Sequence, residues 1–117
     1  MEFVNMFEIE EFQSASIVKK IPIMTDQMVA TLICIDKQKE TISHVNQDFD
    51  EFHLVLSGSG KISIGNISVN LKEGMLVFVP RTETHCFSTK DDRLTVLTIS
   101  PLLTEEIGFE AGLIDCS

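Results

Sequence analysis

The clearest pattern in the chain is the alternation over Lys61-Ile62-Ser63-Ile64-Gly65-Asn66-Ile67-Ser68-Val69-Asn70-Leu71, with apolar residues at every second position on either side of a Gly-Asn pair. Period two sorts side chains onto opposite faces of a strand, and Gly-Asn accepts the positive φ of a two-residue hairpin turn. Such a turn pairs Ile64 with Ile67 and Ile62 with Val69, leaving all four on one face. Upstream, residues 27–35 are β-branched and aliphatic, as in a strand buried on both faces, and Lys37-Gln38-Lys39-Glu40 is its polar exit. Downstream, Leu71-Lys72-Glu73-Gly74 reads as a turn and 75–79 as a short buried strand. Pro80 ends it, because proline cannot donate to a ladder. Residues 85–89 and 93–99 predict two more strands around a Lys90-Asp91-Asp92 turn, and Pro101 closes the segment. Ser57-Gly58-Ser59-Gly60 reads as a hairpin turn, since no helix follows to make a phosphate cradle of it. Many short strands with polar turns predict an all-β sandwich or jelly roll. The termini differ: 8–13 predicts a helical turn, and 103–112, with Thr-Glu-Glu before an apolar pair, a short helix or an arm against the barrel.

Two stretches carry candidate chemistry. The first is His44-Val45-Asn46-Gln47-Asp48-Phe49-Asp50-Glu51, with Gly58 seven residues on; the second is Gly74-Met75-Leu76-Val77-Phe78-Val79-Pro80-Arg81-Thr82-Glu83-Thr84-His85. Together they resemble the two motifs of the cupin family. The first follows H-x-H-x(3,4)-E-x(6)-G with Asn46 at the second histidine, and the second follows G-x(5)-P-x-G-x(2)-H with Thr82 at the inner glycine. The resemblance covers 41–101, about half the chain, with an intermotif segment of the small bacterial type. It implies one cupin domain over 1–117, a double-stranded β-helix or jelly-roll barrel of the RmlC-like kind with short irregular or helical ends.

In that family three imidazoles and one carboxylate hold a metal inside the barrel. The resemblance therefore assigns His44, Glu51 and His85 as ligands of a divalent transition metal, Fe, Mn, Ni or Zn, a donor set that suits such ions when positions stay open. Asn46 could give a neutral amide oxygen, an outer hydrogen bond, or a contact to a hydroxyl-bearing ligand. His53 shares a strand face with Glu51, at a position usually aromatic in the family, and could restore the third imidazole. Its two-residue offset of ~6.6 Å then requires a shifted metal. Alternatively, the same residues form a metal-free polar cluster. Arg81 could meet a carboxylate or phosphate at the barrel mouth or remain a solvated turn residue.

Charge narrows the partners. Eighteen acidic residues against nine Lys and Arg give a net charge of −9, which disfavours nucleic acid and anionic membranes. The first dozen residues lack the basic region and unbroken apolar core of a secretion signal, and no segment approaches the ~18 apolar residues of a membrane span. Cys34, Cys86 and Cys116 show no close pairing pattern, which suits free thiols and a cytoplasmic location. The resemblance implies a homodimer paired through sheet edges, to which the apolar stretch at 27–35 could contribute. Tyr and Trp are absent and Arg81 and Arg93 are the only arginines, so a phenolic general acid is missing and a nucleotide diphosphate poorly served. The expected function is a metal-binding barrel taking a small organic ligand, as an oxygenase or isomerase. The alternative is a metal-free module that binds or senses a sugar-like ligand through Asn46.

Overall fold

The computed structural model describes residues 1–101 together with the backbone of 114–115. A 3₁₀ turn at Met6–Glu8, capped by the Asn5 side chain on Phe7 N–H, precedes strands β1 (Val18–Met24), β2 (Met28–Ile35), β3 (Ile42–Ser43), β4 (Glu51–Ile64), β5 (Ile67–Lys72), β6 (Leu76–Val79), β7 (His85–Ser88) and β8 (Leu94–Pro101). A two-residue β9 (Ile114–Asp115) pairs with β3. All pairings are antiparallel. The architecture is the expected all-β jelly roll. The expectation of a helix or arm at 103–112 lies outside the described residues.

The barrel is organised by β4, a 14-residue strand that belongs to both walls. Its first half runs between β8 and β6, and its second half between β5 and β7. The change of wall occurs at Ser57-Gly58-Ser59-Gly60, where the register with β8 slips between Val55 and Ser57. This stretch is therefore not the hairpin turn its glycines suggested. It is a bulge inside one strand, a device that bends the strand and increases its twist. Gly58 has φ +81°, and a Cβ there would lie 1.7 Å from the Arg93 carbonyl oxygen. A side chain is excluded by both backbone and space.

The hairpin over 61–71 forms in the predicted register, Ile64 opposite Ile67 and Ile62 opposite Val69. Strand β2 is buried on both faces as expected, but it lies between β1 and β8. It has no open edge, so the suggestion that 27–35 takes part in edge pairing is corrected. That side of the sheet ends in β1, which tolerates Pro22 beside a bulge between Lys20 and Ile23 because an edge strand can spare a donor. The stretch at 75–79 is less buried than its run of apolar letters implied: Leu76 and Phe78 are 62% and 50% exposed. Paired with β4 alone, β6 turns only alternate residues inward.

The core packs Ile35, Val55, Ile62, Leu94 and Val96 at 0–1% exposure, each contributing roughly 1.5–3 kcal/mol of apolar burial. Ile33 and Phe87 belong to this core and also line a cavity, so the site lies where the core gives out. Cys34 is buried and free, whereas Cys86 is disulfide-bonded, which corrects the reading of free thiols at that residue. Among the described residues no helix is long and apolar enough to cross a membrane.

Candidate metal centre

Strand β3 ends at Ser43, yet His44 stays tied to the start of β7. Its N–H donates to the His85 carbonyl at 2.8 Å, and the His85 N–H returns a bond to the His44 carbonyl at 2.9 Å. This bridge sets the two imidazoles edge to face, with centroids 5.2 Å apart. Glu51 opens β4 and His53 follows two residues on, so the pleat turns both to the inner face. They are 5% and 2% exposed.

The four side chains meet at one carboxylate oxygen. Glu51 Oε1 lies 3.3 Å from His53 Nε2, 3.4 Å from His85 Nε2 and 3.9 Å from His44 Nδ1. Donor atoms of His44, Glu51 and His85 lie within 4.8 Å of one another. Despite these approaches, Glu51 Oε1, His53 Nε2 and His85 Nδ1 are buried without an aligned hydrogen bond. Leaving a buried polar atom unsatisfied costs about 1–3 kcal/mol, so Glu51 Oε1 and His53 Nε2, which face each other at 3.3 Å, call for a partner of another kind. His85 approaches the carboxylate through Nε2, not through its orphaned Nδ1. His53 is anchored on its far side: Nδ1 is 2.7 Å from the hydroxyl of Thr98, which stands opposite it in the β4–β8 register.

Electrostatics favour a cation. Burial pushes both His44 and His85 below the usual imidazole range, His85 to about 4, with the neighbouring His53 ring adding to the shift at His85. These imidazoles are neutral at pH 7 and present lone pairs. Burial opposes ionisation of Glu51, but His53 first, then His85 and His44, outweigh it and hold the carboxyl below its ordinary range. The result is a buried carboxylate beside two neutral rings, His44 and His85. No Lys or Arg forms an ion pair with it among the described residues, and a buried charge needs a counter-charge. Imidazole and carboxylate donors around one point fit a divalent transition metal. A four-coordinate ion with bonds of about 2.1 Å separates its donors by about 3.4 Å, close to the three distances from Glu51 Oε1.

The other predicted residues lie elsewhere. Asn46 sits in the loop after β3, not on a continuing strand, and its Oδ1 accepts the N–H groups of Asp48 and Phe49, both at 3.1 Å. It does not line the cavity. Arg81 is exposed, and its backbone N–H donates to Asp50 Oδ1 at 2.9 Å; it borders a separate surface hollow with Asp48 and Asp50. The cavity beside the cluster, about 60 Å³, is walled by Ile33 and Phe87 and carries Thr31, Ser100 and the exposed Lys19. Sequence reasoning missed these three and Thr98. Their only signal is the inward alternation of Thr31 with Ile33 and of Thr98 with Ser100, which has meaning only once the strands are paired.

Comparison with known proteins agrees with this architecture. A family model described as "Cupin domain" matches residues 31–100, adding β2 to the span of the two motifs. No curated protein matches the sequence. Among solved structures, TT1209 from Thermus thermophilus superposes with a TM-score of 0.81 at 18% identity, covering 86% of this chain and 97% of that one. KdgF from a Halomonas species gives 0.71 at 19% identity, covering 88% and 94%. The polyketide cyclase RemF from Streptomyces resistomycificus gives 0.73 at 20%, covering 86% and 79%. At these identities the likeness establishes the fold alone.

Proposed function

Because the chain belongs to the cupin family, we propose that it is a metal-binding cupin that takes a small organic ligand in the cavity beside His44, Glu51 and His85. The observation that carries this reading is the convergence of imidazole nitrogens on one buried carboxylate that lacks a Lys or Arg partner among the described residues. Fe(II), Mn(II), Ni(II) and Zn(II) all suit these donors. An ion held there would supply Lewis-acid polarisation of a ligand oxygen.

The chain's own residues do the rest. Glu51, His44 and His85 hold the ion, so Glu51 is a ligand and not a free base. Ile33 and Phe87 close the cavity on the core side and exclude water from it. Thr31 and Ser100 offer hydroxyls along the wall, and Lys19 offers a cation at the exposed rim, a lining that favours an oxygen-rich ligand with at most a small negative charge. With Asn46 turned to the backbone, the amide that motivated a metal-free sugar site is not on the cavity wall.

Elemental analysis of protein purified without chelator tests the reading, together with thermal unfolding in added Fe(II), Mn(II), Ni(II) or Zn(II). The expected result is near-stoichiometric metal and a stabilisation that grows with ion concentration, about 2.7 kcal/mol at a hundredfold excess over Kd. No bound metal and no thermal gain with any of the four ions would sink it.

A further inference from the structure

We infer that His53 supplies the third imidazole of the metal site, through Nε2, and that Thr98 is the positioning residue that holds its ring. The inference rests on the metal reading above and adds a ligand that the motif spacing does not provide. Asn46, at the motif position of a histidine, has its side-chain oxygen on two backbone N–H groups. His53 is 2% exposed, and its Nε2 is buried with no hydrogen bond, 3.3 Å from the carboxylate oxygen that His85 approaches at 3.4 Å. The two rings are 5.0 Å apart. The strand offset between Glu51 and His53 is absorbed by the length of the imidazole, which reaches back along the inner face to the shared oxygen.

Thr98 determines which nitrogen is free. Its hydroxyl, 2.7 Å from Nδ1, can donate or accept. When it accepts from Nδ1–H, the lone pair of His53 lies on Nε2, the nitrogen that faces Glu51. An imidazole ligand that gives its other N–H to an oxygen is the usual arrangement around protein-bound metals, and loss of that outer bond typically costs 10–100-fold in affinity. The cross-strand register places Thr98 opposite His53, so the pair is built into the sheet.

Two measurements with Co(II) as probe test this. X-ray absorption at the Co edge of the loaded wild-type protein counts imidazoles: three are expected, and two would overturn the inference without any variant. Titration of metal-free protein then compares wild type, His53→Gln, Thr98→Val and Thr98→Ser, with circular dichroism confirming the fold. His53→Gln is expected to lose more than about 100-fold in affinity and Thr98→Val about 10–100-fold, while Thr98→Ser, which keeps the hydroxyl, stays near wild type. Wild-type affinity in His53→Gln would overturn the role of His53 and leave the metal reading standing. No Co(II) binding by the wild type would overturn both.

Discussion

The backbone N–H of Thr82 donates to the carbonyl of Asn46 at 2.7 Å, so the two positions at which the chain departs from the cupin motif letters are bonded to each other. Thr82 has φ +72°, the left-handed conformation that the motif's glycine adopts freely and a β-branched residue does not. The loop after β3 and the turn before β7 are thus joined at a contact made by neither of the motif's usual residues.

Thr82→Gly is expected to stabilise the protein. The left-handed conformation costs a non-glycine residue about 1–2 kcal/mol, partly offset by about 0.4–1 kcal/mol for the more flexible unfolded chain. A net gain of about 0.5–1 kcal/mol should raise the thermal midpoint by a few degrees. An unchanged or lower midpoint would show that the threonine side chain contributes something the strain argument omits.

Asn46→His restores the motif letter, and it should not tighten metal binding. Asn46 Oδ1 accepts two N–H groups and the residue is outside the cavity wall. Replacement loses a cap of the loop at a cost of about 1 kcal/mol. Titration with Co(II) should find affinity within about threefold of wild type, alongside a lower denaturation midpoint. Binding that appears only in the variant would mean that the wild-type cluster is a vestige.

The barrel was readable because its evidence is local: alternation around Gly65-Asn66, proline after Val79, and two motifs whose spacing survives substitution. The path of β4 was not. Gly58 and Gly60 look like turn residues until β8 and β7 are in place, because the reason for them is the carbonyl oxygens of Arg93 and Ser88, which crowd their Cβ positions. Strand β1 was missed because Lys19, Lys20 and Pro22 disguise an edge strand as a loop. His44, Glu51 and His53 could be named from motif and alternation. Asn46 holds the motif position of the second histidine, but β3 ends at Ser43, so no strand alternation carries its side chain inward. Thr98 depends on a register across 45 residues, which no short-range pattern contains.

Gly58→Ala isolates the bulge. The methyl would lie 1.7 Å from the Arg93 carbonyl oxygen at φ +81°, so either β4 or the turn before β8 must move. The strained backbone alone costs on the order of 1–3 kcal/mol, and displaced backbone adds to it. A loss of at least about 3 kcal/mol is expected by urea denaturation, with metal affinity reduced as well, because Glu51 and His53 lie on the half of β4 that the bulge orients. A loss below about 1 kcal/mol would mean that the strand crosses between the walls without needing glycine.

The metal-free protein should lose stability as the solution is acidified through the histidine range. His44 and His85 have folded pKa values below the unfolded one, near 6.5 and, for His85, about 4. Between those values the unfolded chain binds more protons, so stability rises with pH and is fully present above about 6.5. On acidification to pH 5, His85 alone accounts for on the order of 2 kcal/mol, at about 1.4 kcal/mol per pH unit. Glu51, also held below its ordinary range, adds a loss in the same direction once its unfolded value near 4.5 is passed. Urea midpoints at pH 7.5 and 5.0 measure this, and His85→Gln should flatten the dependence by removing the main titrating ring. A midpoint that stays level or rises toward pH 5 would show that these imidazoles are not held neutral by burial, and would weaken the case that they stand ready to receive a metal at neutral pH.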